Sequence, residues 1–228
     1  MKLITKGRSK LPLLLIKQLM ICFVYALPFL LLFEIPLLIH RRKAKGKIPY
    51  RHFALNLIFV WSLAIMLYLT GIHSVFSFSS DAILTWQGLH IPASEVNLTL
   101  FHSLAINSRQ YLENILLFIP FGFFLPLLWE QYRPLWKTVF FGFLLSLAIE
   151  FSQLFNHRIS DIDDLLTNTL GAFAGWLLWL LLQKGLSAIR GESTISKEDQ
   201  KQTFLLRHEA LLDMAAAFMG MFFLYPFR

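Results

Sequence analysis

Cysteine is nearly absent from this chain of 228 residues: Cys22 stands alone, inside an apolar run. That excludes an intramolecular disulfide, and with it a small disulfide-stapled fold. No CxxC pair and no His/Cys spacing suits zinc. Charge is scarce as well. Asp, Glu, Lys and Arg make up 15% of the residues, where a soluble domain carries about 25%. Also missing are a Gly-rich phosphate loop, a Ser or Cys nucleophile motif and an internal repeat. Nothing in the sequence asks for a cofactor or a metal.

What is abundant is apolar. Hydrophobic residues reach 56% and are gathered in long runs between short charged clusters; the mean hydropathy is +0.58. Crossing a bilayer takes about 20 mostly apolar residues. Six stretches qualify or come close: Leu11–Ile39, Phe53–Ile72, Leu112–Trp129, Lys137–Phe155, Leu165–Leu182 and the short Leu211–Phe227. The expectation is an all-α, polytopic helical membrane bundle of about five to six transmembrane helices. Lys2, Lys6, Arg8 and Lys10 before the first run imitate a secretory signal. The run continues far beyond a signal core and meets no small-residue cleavage site, so it is read as retained.

The net charge of +7 belongs to this topology and not to nucleic acid, for no basic surface interleaved with aromatics is present. Basic residues favour the cytoplasmic side. They cluster at 41–51, at Arg133 and Lys137, and at 184–207. The segments His73–Tyr111 and Asn156–Asp164 hold only Arg109 and Arg158 and are placed outside. A single outside-to-inside crossing by the first run would put the N-terminal lysines outside. A re-entrant turn at Pro28 would keep both ends inside. The 73–111 segment reads as an irregular cap, and Gly191–Gln202 as a polar cytoplasmic linker. Three regions follow: 1–72 with two membrane helices and a basic loop, 73–182 with an outer loop and three helices, and 183–228 with the linker and a last helix.

Charged side chains within a membrane helix cost roughly 2.5–3.5 kcal/mol each, so the few present need a reason. Glu150 shares a helical face with Ser146 and Gln153, about 10 Å below the outer surface at 1.5 Å per residue. Asp161, Asp164, Asn168, Gly171 and Gly175 fall at helical spacing and would form one stripe if the fifth helix starts early. Gly171 and Gly175 make a GxxxG pattern that admits a close neighbour. Glu113 and Asn114 lie at the outer end of the third run, above Pro120 and Gly122. Carboxylates and amides from three helices thus gather at one depth near the outer face. The plainer reading is structural: Glu150 paired with Arg158 or Asn168, and Asp161 to Asp164 capping the fifth helix. The sharper reading is a site for a polar group carried by a lipid. Oxygen ligands at Glu150, Asp161 and Asp164 would suit magnesium or calcium, although no metal is assigned. The remaining histidines form no constellation, and Trp129, Trp136, Trp176, Trp179 and Tyr225 read as interfacial or packing residues.

Two blocks carry a likeness. Asn114-Ile-Leu-Leu-Phe-Ile-Pro-Phe-Gly122 resembles a signature of the VanZ-like family. Glu150-x-x-Gln153 followed by Arg158-x-x-Asp161-x-x-Asp164, Asn168 and Gly171-x-x-x-Gly175 is similar to its second block. The likeness covers roughly Asn97 to Leu182. It implies a multi-pass protein of the bacterial cytoplasmic membrane. The family takes its name from a protein that gives low-level resistance to teicoplanin, a glycopeptide with a lipid tail. It implies no agreed activity, so no catalytic set carries over. Three functions are compatible: binding of a lipid-linked cell-wall precursor or a lipoglycopeptide, an enzyme acting on a lipid-linked substrate through Glu150 or Asp164, and a small transporter with Glu150 as proton relay.

Overall fold

The computed structural model describes residues 11–45, 50–71, 96–97, 99, 108–154, 160–186, 194–196 and 204–224. Six long helices dominate: α1 (Leu11–Lys45), α2 (Tyr50–Leu69), α3 (Ser108–Leu128), α4 (Leu135–Leu154), α5 (Ile162–Leu182) and α6 (Phe204–Leu224). A 3-10 turn, Glu130–Tyr132, joins α3 to α4. Two residues of strand, β1 (Val96–Asn97), pair in parallel with β2 (Ser160–Asp161). The all-α bundle expected from hydropathy is what forms. Among the described residues five helices are long and apolar enough to cross a membrane, where only internally hydrogen-bonded backbone is tolerated. The sixth, α6, begins at Phe204 and not at Leu211, and its first half carries Arg207, Glu209 and Asp213.

The helix α1 runs unbroken through Pro28 and Pro36, so the re-entrant turn at Pro28 does not form. Each helix start lies before its expected position or near it. The largest gain is in α6, by seven residues; in α3 the first turn takes Ser108 to Tyr111 out of the cap segment. Residues 73–95, 98 and 100–107 of that cap lie outside the described residues.

The helices sort into two groups that meet along α2 and α3. In the first, α1, α2 and α6 pack together. Small residues bring α6 close to α1: a Cβ on Gly220 would overlap the backbone of Tyr25 and Ala26, and Ala210, Ala216 and Ala217 are fully buried nearby with Cys22 and Ala26. In the second group α3 and α5 run parallel, and α4 runs antiparallel to α5. The seam between groups is aromatic. The Phe59 ring sits 6.2 Å from Phe121 and 5.4 Å from Trp129, centroid to centroid. Outside this core Ile16, Val24, Leu32 and Leu181 stay exposed, as side chains facing lipid must.

The linker between α5 and α6 is tied down where it is described. Ile195 N–H donates to the Leu128 carbonyl at 2.7 Å and its carbonyl accepts from Glu130 N–H at 3.0 Å. Thr194 Oγ1 donates to the Leu127 carbonyl at 2.7 Å. The last carbonyls of α3, which a helix leaves without partners, are satisfied this way. This end of the bundle holds the basic loops. The opposite end holds the start of α3, the end of α4 and the start of α5.

Candidate functional site

At the end away from the basic loops, polar side chains from α3, α4 and α5 converge. Asp161 is the N-cap of α5: its backbone is extended and its Oδ1 accepts from Asp163 N–H at 2.9 Å. That satisfies one donor that the first turn leaves free. Asp161 therefore stands before the stripe instead of on it. Its own N–H donates to Glu150 Oε2 at 3.0 Å, and its other carboxyl oxygen accepts from Asn97 at 3.2 Å. Asp161, at the start of α5, is thus held from both sides, by the buried Glu150 and by β1.

One residue further, Asp163 and Asp164 part company. Successive helical residues point about 100° apart. Asp163 is fully buried and accepts the Tyr111 hydroxyl. Asp164 turns to the neighbouring face, where Asn114 Nδ2 donates at 2.8 Å and Gln110 Nε2 at 3.1 Å. Deeper down, Asn168 Nδ2 donates to Ser146 Oγ at 2.9 Å, which ties α5 to α4. Gln153 Nε2 donates to the carbonyl of Thr70, just past the end of α2, at 2.9 Å.

These residues surround an open cavity of about 660 Å³ between α2, α3, α4 and α5, a volume suited to a small ligand. Its polar wall includes Asn114, Glu150, Gln153, Asp164 and Asn168; its apolar wall includes Leu69, Leu116, Leu117 and Ile149. Leu69 and Leu116 are about half exposed, so the apolar side is open to the surroundings of the bundle. Donors are mostly spent inside the protein. The amide nitrogens of Asn114, Gln153 and Asn168 all bond protein oxygens, whereas Asn168 Oδ1 is buried without a partner. The polar wall presents acceptors.

Gly171 and Gly175 lie below the polar end of α5. A Cβ on Gly171 would overlap the Ile115 carbonyl, and one on Gly175 the Ile119 carbonyl; Gly122 of α3 faces the Ala172 carbonyl in return. The two backbones touch because side chains are missing there. Pro120 lies inside α3, between these contacts.

Of the residues singled out in the sequence, the structure brings Asn114, Glu150, Gln153, Asp164 and Asn168 to the cavity wall, with Asp161 capping behind them. Glu150 accepts a backbone N–H, while Asn168 pairs with Ser146. Arg158 lies outside the described residues. Arg109 is exposed and pairs with Glu113 at 2.6 Å on the outer surface of α3. Among the described residues no group of three His, Cys, Asp or Glu is arranged to hold a metal. Sequence reasoning passed over Tyr111, Gln110 and Thr167. The signal was there for the first two: they stand three and four residues before Asn114, on its helical face. Trp129, read as interfacial or packing, is a packing residue: it is fully buried, and its indole N–H donates to Glu209 at 2.9 Å.

Removing the Tyr111 hydroxyl leaves the buried Asp163 carboxyl one donor short. Tyr111→Phe is expected to lower the melting temperature of the solubilised protein, whereas Arg109→Ala, which breaks an exposed pair, leaves it unchanged. Thermal unfolding in detergent checks both.

Comparison with known proteins adds a family likeness over the same helices. A family model described as VanZ/LLP1 matches residues 59–183, more than half of the chain. The match begins at Phe59 in α2, well before the expected Asn97. Protein VanZ of Enterococcus faecium is 37% identical over 93 residues, which are 40% of this chain and 56% of that protein. The chain thus spans just over half the length of this curated relative. No solved structure matches.

Proposed function

The chain belongs to the VanZ/LLP1 family, and from that premise we propose that its cavity binds the polar part of an amphiphile drawn from the outer leaflet. The positive-inside distribution places the cavity end of the bundle outward. Glu150 and Asp164 offer acceptors, so the matching group is rich in donors: the hydroxyls, amides and amines of a sugar or peptide. The half-exposed Leu69 and Leu116 on the apolar wall suit the attached lipid tail. A lipid-linked cell-wall precursor and a lipoglycopeptide such as teicoplanin both have this build. The observation that carries the reading is the amphipathic wall: acceptors on one side, lipid-facing leucines on the other.

The expected outcome in a susceptible bacterial host is selective. The chain raises teicoplanin tolerance and leaves vancomycin, which lacks the lipid tail, unchanged. Glu150→Gln and Asp164→Asn, matched for membrane abundance, fall back to the empty-vector level. Equal protection by parent and variants would remove the cavity from the explanation. No protection at good expression would remove the resistance role and leave lipid-linked precursors to be tested.

A second reading has one observation in its favour: Glu150 and Asp164 face the same cavity, as a general base and its partner would. In an enzyme of that kind Glu150→Gln abolishes turnover of a lipid-linked substrate while binding survives.

A further inference from the structure

A second polar cluster lies at the basic end of the bundle and shares no residue with the cavity. It has two levels. In the first, Glu209 of α6 is saturated: Arg41 Nη2 donates to both carboxyl oxygens at 2.7 Å, His52 Nε2 lies 3.2 Å from Oε1, and Trp129 Nε1 donates to Oε2 at 2.9 Å. One helical turn along α2 and α6 lie Asn56 and Asp213, with Glu34 of α1 beside them. Asn56 Nδ2 donates to Glu34 Oε1 at 3.0 Å. Glu34, Asn56 and Asp213 are at most 1% exposed.

This second level is short of donors. Among the described residues both oxygens of Asp213 are buried without a hydrogen-bond partner, and so is Asn56 Oδ1, although the Asn56 amide stands beside the Asp213 carboxyl. The described residues are also short of positive charge here. The facing ionisable groups among them are Glu34 and Arg41 from α1, His52 from α2, and Glu209 and Asp213 from α6. Three carboxyls oppose one guanidinium and one imidazole. Even with His52 protonated, one buried negative charge stays uncompensated, and an isolated buried carboxylate is too costly to persist. Arg41 Nε also lacks a partner, but the charge of that guanidinium is already counted.

Three orphan acceptors and one missing positive charge have a common remedy. We propose that Glu34, Asn56 and Asp213 form a binding site for one monovalent cation, a proton or a sodium ion. A proton on Asp213 turns one orphan oxygen into an O–H donor and removes the uncompensated charge. A sodium ion would use the same oxygens as ligands. Either way the chain holds one cation at the end of the bundle opposite the cavity, among intramembrane carboxyls of the kind that mark functional sites.

Infrared spectra of the full chain in lipid nanodiscs, taken across pH in sodium and in choline buffers, decide the matter. For a proton, a neutral-carboxyl band is present at neutral pH in both salts. It is lost in Asp213→Asn or Glu34→Gln and kept in Asp164→Asn. For sodium, the band appears in choline, disappears when sodium is added, and sodium raises the melting temperature of the parent but not of Asp213→Asn. The proposal is overturned if the parent shows neither the band nor a response to sodium, or if only Asp164→Asn removes the band. It is also overturned if neither isostere accumulates as folded protein, because replacing one carboxyl by an amide removes the same single negative charge that the bound cation offsets.

Discussion

Membranes from cells producing Gly171→Leu or Gly175→Leu are expected to hold several-fold less of the protein than those producing the parent. At both positions the first added carbon already collides with a carbonyl oxygen of α3, and at Gly171 it also comes within 2.8 Å of Phe118 Cβ. A backbone oxygen cannot swing aside as the tip of a long side chain can. The helices must part. Overpacking of this kind costs about 1–3 kcal/mol and more when backbone has to move, and about 1–2 kcal/mol is enough to change cellular abundance several-fold. The damage also reaches the cavity, because α3 carries Gln110 and Asn114 while α5 carries the Asp164 they bond. Gly185→Leu is the control: a Cβ there meets only the Leu182 carbonyl at 3.6 Å, an ordinary contact. Immunoblots of membranes and thermal unfolding in detergent measure the effect. If Gly171→Leu melts with the parent, α3 and α5 are not in backbone contact.

The second large effect concerns Arg41 and Glu209. Arg41→Met leaves the Glu209 carboxylate, 0% exposed, with only His52 and Trp129 for partners. Removing one member of a buried ion pair costs about 3–5 kcal/mol, because the remaining charge keeps its desolvation penalty. Replacing both members by apolar residues removes that penalty. Arg41→Met combined with Glu209→Leu is therefore expected to recover most of the loss, short of what His52 and Trp129 gave up. A double-mutant cycle on the solubilised protein measures the coupling. Additive costs, with the double variant worse than either single one, would show that the pair is not what holds α6 against α1 and α2.

The membrane helices were legible because the bilayer leaves long apolar runs one answer. Helix closes every backbone hydrogen bond within the segment, so hydropathy and length suffice for α1 to α5. The start of α6 was misplaced for a related reason. Arg207 reads as part of the basic cytoplasmic segment, so the helix was expected only from Leu211. In the folded chain Arg41, over 160 positions earlier, comes within 2.7 Å of Glu209, and the helix extends back to Phe204. For the same reason His52 and Glu34 looked isolated in the sequence, although they share one buried cluster.

The outer polar residues show the division within a single turn. The depth of Asn114, Glu150, Asp164 and Asn168 follows from rise per residue and distance from the loop, a local quantity that sums along one helix. Their partners do not. Asp163 and Asp164 are adjacent in the chain, yet one meets Tyr111 and the other Asn114. Which carboxyl faces the cavity depends on how α5 is rotated against α3. The sequence by itself determined that the chain crosses a membrane several times and at what height along its helix each polar group stands, since both depend on short-range geometry and transfer energy. Tertiary structure alone decided which of those groups meet and that a second cluster exists at the basic end, since rotation and approach are set by non-local packing of glycine, alanine and aromatic faces.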